Sequence, residues 1–309
     1  MSLLLSLLAA TVMGQDPVKP RPTFDQAAAW KVLTTQCDFG PRVPGTPGHL
    51  KCRDYLVETF KKSCDSVKTV ELTHNWSKGK KVTMWNIVAT QNWEKATTRV
   101  VLLAHWDTRP TADQEESAAK RKQPILGAND GASGVAVLAE LARAADFPKS
   151  VGIAYILTDG EDLGPSLEEM FLGAKHIVQS RANTKQYFGD NVPNYGILLD
   201  MIGDKSLRIP VEPNSAYYAP KLMGAFYDHA AKIGLGSTFP KVYGPSIEDD
   251  HICLNDAGIP VIDLIDFDYE PWHTLGDTVD KCSAESLGKV GKMLHSWLKL
   301  DPPFSGPVK

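Results

Sequence analysis

The sequence is short of most features that mark specialised chains. Its five cysteines (Cys37, Cys52, Cys64, Cys253 and Cys282) form no close C-x-x-C pair, which excludes a zinc ribbon and a dithiol redox motif. The odd number leaves at least one thiol unpaired, so this is no disulfide scaffold. A long basic run is missing: 33 Lys and Arg stand against 37 Asp and Glu, for a net charge of -4. That argues against a nucleic-acid partner, because phosphate binding needs clustered cations. The one small cluster, Lys78, Lys80 and Lys81, follows a polar stretch and reads as a solvated hairpin tip. Past the N-terminus, no stretch approaches the roughly 20 apolar residues that span a bilayer. Internal repeats and a second-domain linker are also missing. With 43% apolar and 23% charged residues over 309 positions, the chain has the composition of an ordinary globular protein able to bury a substantial core.

The N-terminus reads separately. Leu3 to Met13 is an apolar run too short for a span and of the right length for a signal-peptide core. Val12 and Gly14 suit the cleavage positions, so residues 1–14 are expected to be a signal peptide with Gln15 the first mature residue. The pattern departs in its basic leader, since only Met1 and Ser2 precede the run. Residues 15–22, rich in proline and charge, read as a tether. Residues 23–309 then read as a single domain, and the expected destination is secreted or periplasmic.

Within that domain, Thr23 with Gln26 forms a capping-box pattern ahead of an Ala-rich helix ending near Gly40. Thr46-Pro47 starts a second helix that runs to about Lys62. Val67–Leu72 and Val82–Thr90 alternate as strands joined by a turn at Ser77 to Gly79. The character then changes to short, continuous apolar runs at Val100–Ala104, Val151–Leu157, Ile197–Leu199 and Val261–Leu264, which suit central strands covered on both faces. Helical patterns lie between them at Ala132–Ala145, Glu168–Gln179 and Ala219–Ile233. A last helix sets Leu287, Val290, Leu294 and Trp297 on one face. Such alternation predicts a three-layer α/β/α sandwich around a mostly parallel, mixed sheet. Thr111 to Gln123 reads as an insertion-like surface loop.

Polar residues cluster just past the ends of those apolar runs: His105-Trp106-Asp107, Asp159-Gly160-Glu161-Asp162 and Asp200. In open α/β sheets, ligands bind at the carboxyl ends of strands. Taken singly, each residue is ordinary. Asp130 within Gly127 to Gly134 is a turn or cap residue, His273 a loop histidine, and Asp249-Asp250-His251 a surface acidic turn. Taken together, His105, Asp130, Asp162, Asp200 and His273 supply the nitrogen and oxygen donors that suit zinc. Glu161 beside Asp162 places two carboxylates where a cation on one would leave the other free to move protons.

The order His-x-Asp, Asp, Glu-Asp, Asp, His resembles the zinc-dependent aminopeptidase superfamily that includes the glutaminyl-peptide cyclotransferases, over roughly Gln36 to Leu298. Within that group, Gly40 to Gly48, His105 to Pro110 with Pro124 to Asp130, Leu199 to Gly203, Glu248 to His251 and Trp272-His273-Thr274 are similar to the cyclases. The likeness implies a zinc-exopeptidase-like fold. It also implies one zinc held by Asp130, Asp162 and His273, with Glu161 as general acid/base and Asp200 and Asp249 as a hydrogen-bonded acidic pair. Trp272 and Glu248 would contact substrate, and His105 and Asp107 would complete a second metal position or support the first. Two departures stand out: Asp162 replaces the glutamate of animal cyclases, and Leu163 to Met170 does not match their tryptophan-bearing loop.

The implied reaction turns an N-terminal glutamine of a peptide or protein into pyroglutamate with release of ammonia, an acyl transfer. The rival is a two-zinc aminopeptidase, in which His105 and Asp200 complete a second site and Glu161 activates water. A catalytically inert binding domain on the same fold is the third reading, and the intact Glu161 and full ligand set argue against it.

Overall fold

The computed structural model describes residues 23–77 and 79–304. The signal-peptide and tether segments and Lys78 lie outside the described residues, while Lys80 and Lys81 are exposed at a hairpin tip as expected.

In chain order the elements are α1 (Gln26–Asp38), α2 (Pro47–Lys61), β1 (Ser66–Trp76), β2 (Lys80–Gln91), β3 (Thr98–His105), α3 (Ala132–Arg143), β4 (Val151–Thr158), α4 (Leu172–Val178), α5 (Arg181–Phe188), β5 (Tyr195–Asp200), α6 (Pro213–Tyr218), α7 (Pro220–Lys232), α8 (Asp250–Asp256), β6 (Val261–Ile265) and α9 (Ala284–Leu298). The strands form one sheet in the order β1-β2-β4-β3-β5-β6. β4, β3, β5 and β6 run parallel, while β2 is antiparallel to both β4 and β1.

Period-two alternation assigns each buried strand residue to one of two cores. Val100, Leu102, Ala104, Tyr155, Ile197 and Leu199 face a core closed by α1, α2, α3, α7 and α9. Val101, Leu103, Ile156, Leu198 and Val261 face a second, smaller core under α4, α5 and α8. The apolar runs are therefore covered on both faces, and the three-layer α/β/α sandwich on a mixed sheet is what forms. Small residues let α3 lie close between α1 and α9, and eleven of its twelve residues are buried.

Local starts and stops follow the sequence with instructive exceptions. Thr46 caps α2 through its side chain and Pro47 opens the helix, as the pattern predicts. α1 is capped by Asp25, which accepts from the Ala27 amide, and not by Thr23. The stretch Glu168–Gln179 is not one helix: Phe171 takes a left-handed φ of 59° ahead of α4. All five cysteines are free, and no described helix is long and apolar enough to cross a membrane.

Candidate metal centre

The parallel strands deliver the chemistry to one edge. β3 ends in His105, β4 runs into Asp159 to Asp162, and β5 ends in Asp200. β3 is where the strand order reverses, with β4 on one side and β5 on the other, so the edge beside it is the expected crevice.

Asp130 stands at its centre, on the turn that opens α3. One of its oxygens lies 3.0 Å from His105 Nε2, and the other lies 3.6 Å from His273 Nε2. His105 Nε2 is also 3.3 Å from Asp200, and His273 Nε2 is 3.4 Å from Asp162. Two three-residue groups result, His105–Asp130–Asp200 and Asp130–Asp162–His273, each with ligand atoms within 4.8 Å of one another. Asp162 Oδ2 and His105 Nδ1 are buried without a hydrogen-bond partner. A buried acceptor left in that state costs about 1–3 kcal/mol, which a cation would offset. Buried carboxylate and imidazole donors in sets of three fit zinc in its catalytic form, with a coordination position to spare.

The tight turn depends on Gly131, whose φ is +90° and at which a Cβ would sit 2.8 Å from His105 Cε1. Gly160, at φ +71°, turns the chain between Asp159 and Glu161, where a Cβ would meet Met84 Sδ at 2.3 Å. Two non-glycine residues at the centre also hold left-handed backbone: His273 (φ 53°) and Met201, directly after Asp200 (φ 46°). Such conformations cost on the order of 1 kcal/mol each and persist where the surroundings impose them. For His273 the surroundings include a hydrogen bond from the Gln114 amide to its carbonyl.

Electrostatics follow from burial and crowding. Burial alone would depress the His105 imidazole, but Glu161, Asp107, Asp130 and Asp200 raise it well above the histidine range. His273 is likewise pushed up to about 10 by Asp162, Asp113 and Asp130 against the effect of burial. Burial, with Asp162, Asp249 and Asp250 nearby, holds Glu161 well above the carboxylate range despite the opposing pull of His105. Asp249 is raised to about 7 by burial and by Asp200.

Most residues expected at the site do converge. His105, Asp107, Asp130, Glu161, Asp162, Asp249 and His273 are all buried, and Asp200 is nearly so. Asp107 acts as a support, its two carboxylate oxygens accepting from the Glu161 and Asp162 amides at 3.2 and 3.3 Å. Trp272 stacks on His273 with ring centroids 3.9 Å apart and has Phe267 behind it at 4.9 Å. Glu248 is solvent-exposed, one residue before Asp249. The expected Asp200–Asp249 hydrogen bond is not formed. Asp249 caps α8 through one oxygen, and its other oxygen is buried without a partner. Asp249-Asp250-His251 is accordingly no surface turn, since Asp250 and His251 are fully buried.

Several supporting residues had no reading from the sequence. Arg109 donates to Asp162 at 2.7 Å and, through two nitrogens, to Asp113 at 2.7 and 2.8 Å. Asp113 in turn lies 3.1 Å from His273 Nδ1. A carboxylate on Nδ1 fixes the ring and leaves Nε2 free as a ligand. Burial would raise Asp113, but His273 and Arg109 bring it down to about 2. The supposed surface loop thus clasps the centre through Asp113. Asp277 accepts from the Asn129 and Asp130 amides and from the Tyr269 hydroxyl. His49, in the first turn of α2, reaches both oxygens of Asp159 at 2.9 and 3.1 Å and stacks on Trp106 at 4.3 Å. It therefore grips the ends of both β3 and β4.

The family model described as Peptidase family M28 matches residues 86–298, from within β2 to the end of α9. The chain belongs to peptidase family M28. Glutaminyl-peptide cyclotransferase of Bos taurus is 26% identical over 285 residues, covering 82% of this chain and 76% of that protein. The solved structure of Bacteroides thetaiotaomicron glutaminyl cyclase bound to N-acetylhistamine is 34% identical, with a TM-score of 0.83 over 90% of this chain and 98% of its own. A leucine aminopeptidase precursor from the same organism is 33% identical, with a TM-score of 0.84 over 91% of this chain and 99% of its own. In this M28 chain the matched segment contains both three-residue groups, whereas His49 lies before it.

Proposed function

We propose that this M28 chain is a zinc-dependent glutaminyl-peptide cyclotransferase, acting on peptides or proteins with an N-terminal glutamine. The observation that carries the reading is the Trp272 ring stacked 3.9 Å from the His273 ring. It gives the proposed metal ligand an apolar wall against which a compact amide can lie. Likeness to cyclotransferases among both curated relatives and solved structures supports it.

Asp130, Asp162 and His273 would hold the zinc, which supplies Lewis acidity at the side-chain amide carbonyl. An N-terminal glutamine already carries its amine within five-membered-ring reach of that carbonyl, so effective molarity is high. Glu161 accepts a proton from the attacking amine and returns it to the departing nitrogen. The N–Cδ bond forms, the bond from Cδ to the side-chain nitrogen breaks, and ammonia leaves with no water consumed. Asp249, with its carboxyl raised to about 7, holds a proton near neutrality and can donate a hydrogen bond to the leaving amide. Arg109 and Asp113 keep Asp162 and His273 in place throughout.

One observation favours the two-zinc aminopeptidase as a second reading: the His105–Asp130–Asp200 group is as complete as the first, and Asp130 is common to both. Metal analysis together with product analysis separates the two. We expect one tightly held zinc per chain, ammonia from Gln-initiated peptides and negligible hydrolysis of leucine-4-nitroanilide. Two tightly held zincs with rapid release of free amino acids would establish the peptidase instead.

A further inference from the structure

A cleft of about 290 Å³ opens at the carboxyl end of β6, beside the metal centre but outside it. Ile265, Asp266, Phe267, Asp268, Arg208 and Glu212 form its wall. Two contacts tie it to the centre. Ile265 is paired with Asp200 across β5 and β6, so the cleft wall begins on the strand next to the one that carries Asp200, with backbones roughly 4.8 Å apart. Phe267 is at once cleft wall and outer ring of the stack that runs through Trp272 to His273. A peptide chain advances at most about 3.3–3.6 Å per residue. With its first residue at the metal centre, a bound peptide brings its second or third side chain to this cleft.

The lining says what that side chain is. Three carboxylates stand against the single guanidinium of Arg208. Glu212 is committed inward, to the first amides of α6 and to His251 at 3.3 Å. Asp266 accepts from the Arg208 and Asp268 amides. Asp268 is exposed and pairs with no cation among the described residues. An open carboxylate and an aromatic ring in one cleft wall suit a long cationic side chain, with its stem along Phe267 and its head hydrated near Asp268. We propose that the cleft is a subsite for a lysine or arginine at the second or third position of the peptide substrate. This rests on the reading of the centre as one that acts on an N-terminal residue.

The test uses the zinc-loaded full-length enzyme with short Gln-initiated peptides carrying Lys, Leu or Glu at positions two and three. At low salt we expect the Lys series to exceed the Glu series roughly fivefold in kcat/KM for ammonia release, the size expected of an exposed charge contact. Asp268→Asn should bring that ratio near one, and Asp268→Lys should invert it. The same peptides are titrated into Glu161→Gln, where binding is read without turnover, and the ratio of dissociation constants should match. A flat ratio in both measurements, or a Lys preference that survives Asp268→Asn, overturns the subsite. Absence of ammonia from every Gln peptide overturns the proposed reaction instead, and the binding ratios still decide the subsite.

Discussion

Glu161→Gln is the sharpest perturbation of the proposed reaction, because its neighbour Asp162 provides the contrast. The Glu161 carboxyl is buried and lies 3.6 Å from His105 Nδ1. Burial holds it well above the usual carboxylate range, and the glutamine amide is nearly isosteric with the carboxyl it replaces. The melting temperature and the zinc content of the variant should therefore stay close to wild type. Turnover should not. Losing a positioned general acid/base costs about 10²–10⁴ in rate, or roughly 3–5 kcal/mol at 1.36 kcal/mol per tenfold. Asp162→Ala removes a proposed ligand and leaves the Arg109 nitrogen at 2.7 Å without its acceptor. Zinc affinity should then fall by more than the 10–100-fold that follows loss of a mere supporting residue. Zinc per chain by atomic absorption, measured alongside ammonia release from a Gln peptide, decides the assignment. Equal zinc loss in the two variants, or Glu161→Gln turning over within tenfold of wild type, would show that the roles are wrongly assigned.

Three further expectations follow from the geometry. His49→Ala removes the hydrogen bonds to Asp159 and the stack on Trp106. The expected destabilisation is about 2–4 kcal/mol, seen as a melting temperature lower by roughly 3–7 °C, and an unchanged melting curve would refute the clamp. Asp250, raised to about 8 by burial and by Asp249, keeps its proton in the folded state, while an unfolded aspartate releases it near pH 3.9. Its contribution to stability is greatest below about pH 4 and is lost as pH rises toward 8. Asp250→Asn should therefore flatten the decline in melting temperature between pH 6 and 9, and a parallel decline in both proteins would refute this. Processing near Gly14, proposed from the Leu3–Met13 run, predicts an intact mass from the native host that begins near Gln15; full-length protein recovered from the cytosol would count against it.

The sequence by itself determined the layers and the chemical edge. Short continuous apolar runs suit strands covered on both faces, so Val100–Ala104 and Val151–Leu157 read as central strands. The polar residues that follow such strands had to gather at one end of a parallel sheet, which is why His105, Glu161, Asp162 and Asp200 were legible as a group. Residues of the centre that lie on loops, Asp130 and His273, joined that group through their donor chemistry and a family likeness, and not through periodicity. What only tertiary structure decided is which donor each side chain finds. Asp107 could have been a ligand until its oxygens were seen to accept the Glu161 and Asp162 amides. Taken singly, Asp249-Asp250-His251 read as a solvated turn because a charged triplet carries no mark of burial, yet Asp249 caps α8 and Asp250 and His251 are fully buried. Arg109, Asp113 and His49 were invisible for a different reason. Their partners lie 53, 160 and 110 residues away in the chain, and hydrogen-bond direction leaves no periodic trace in sequence.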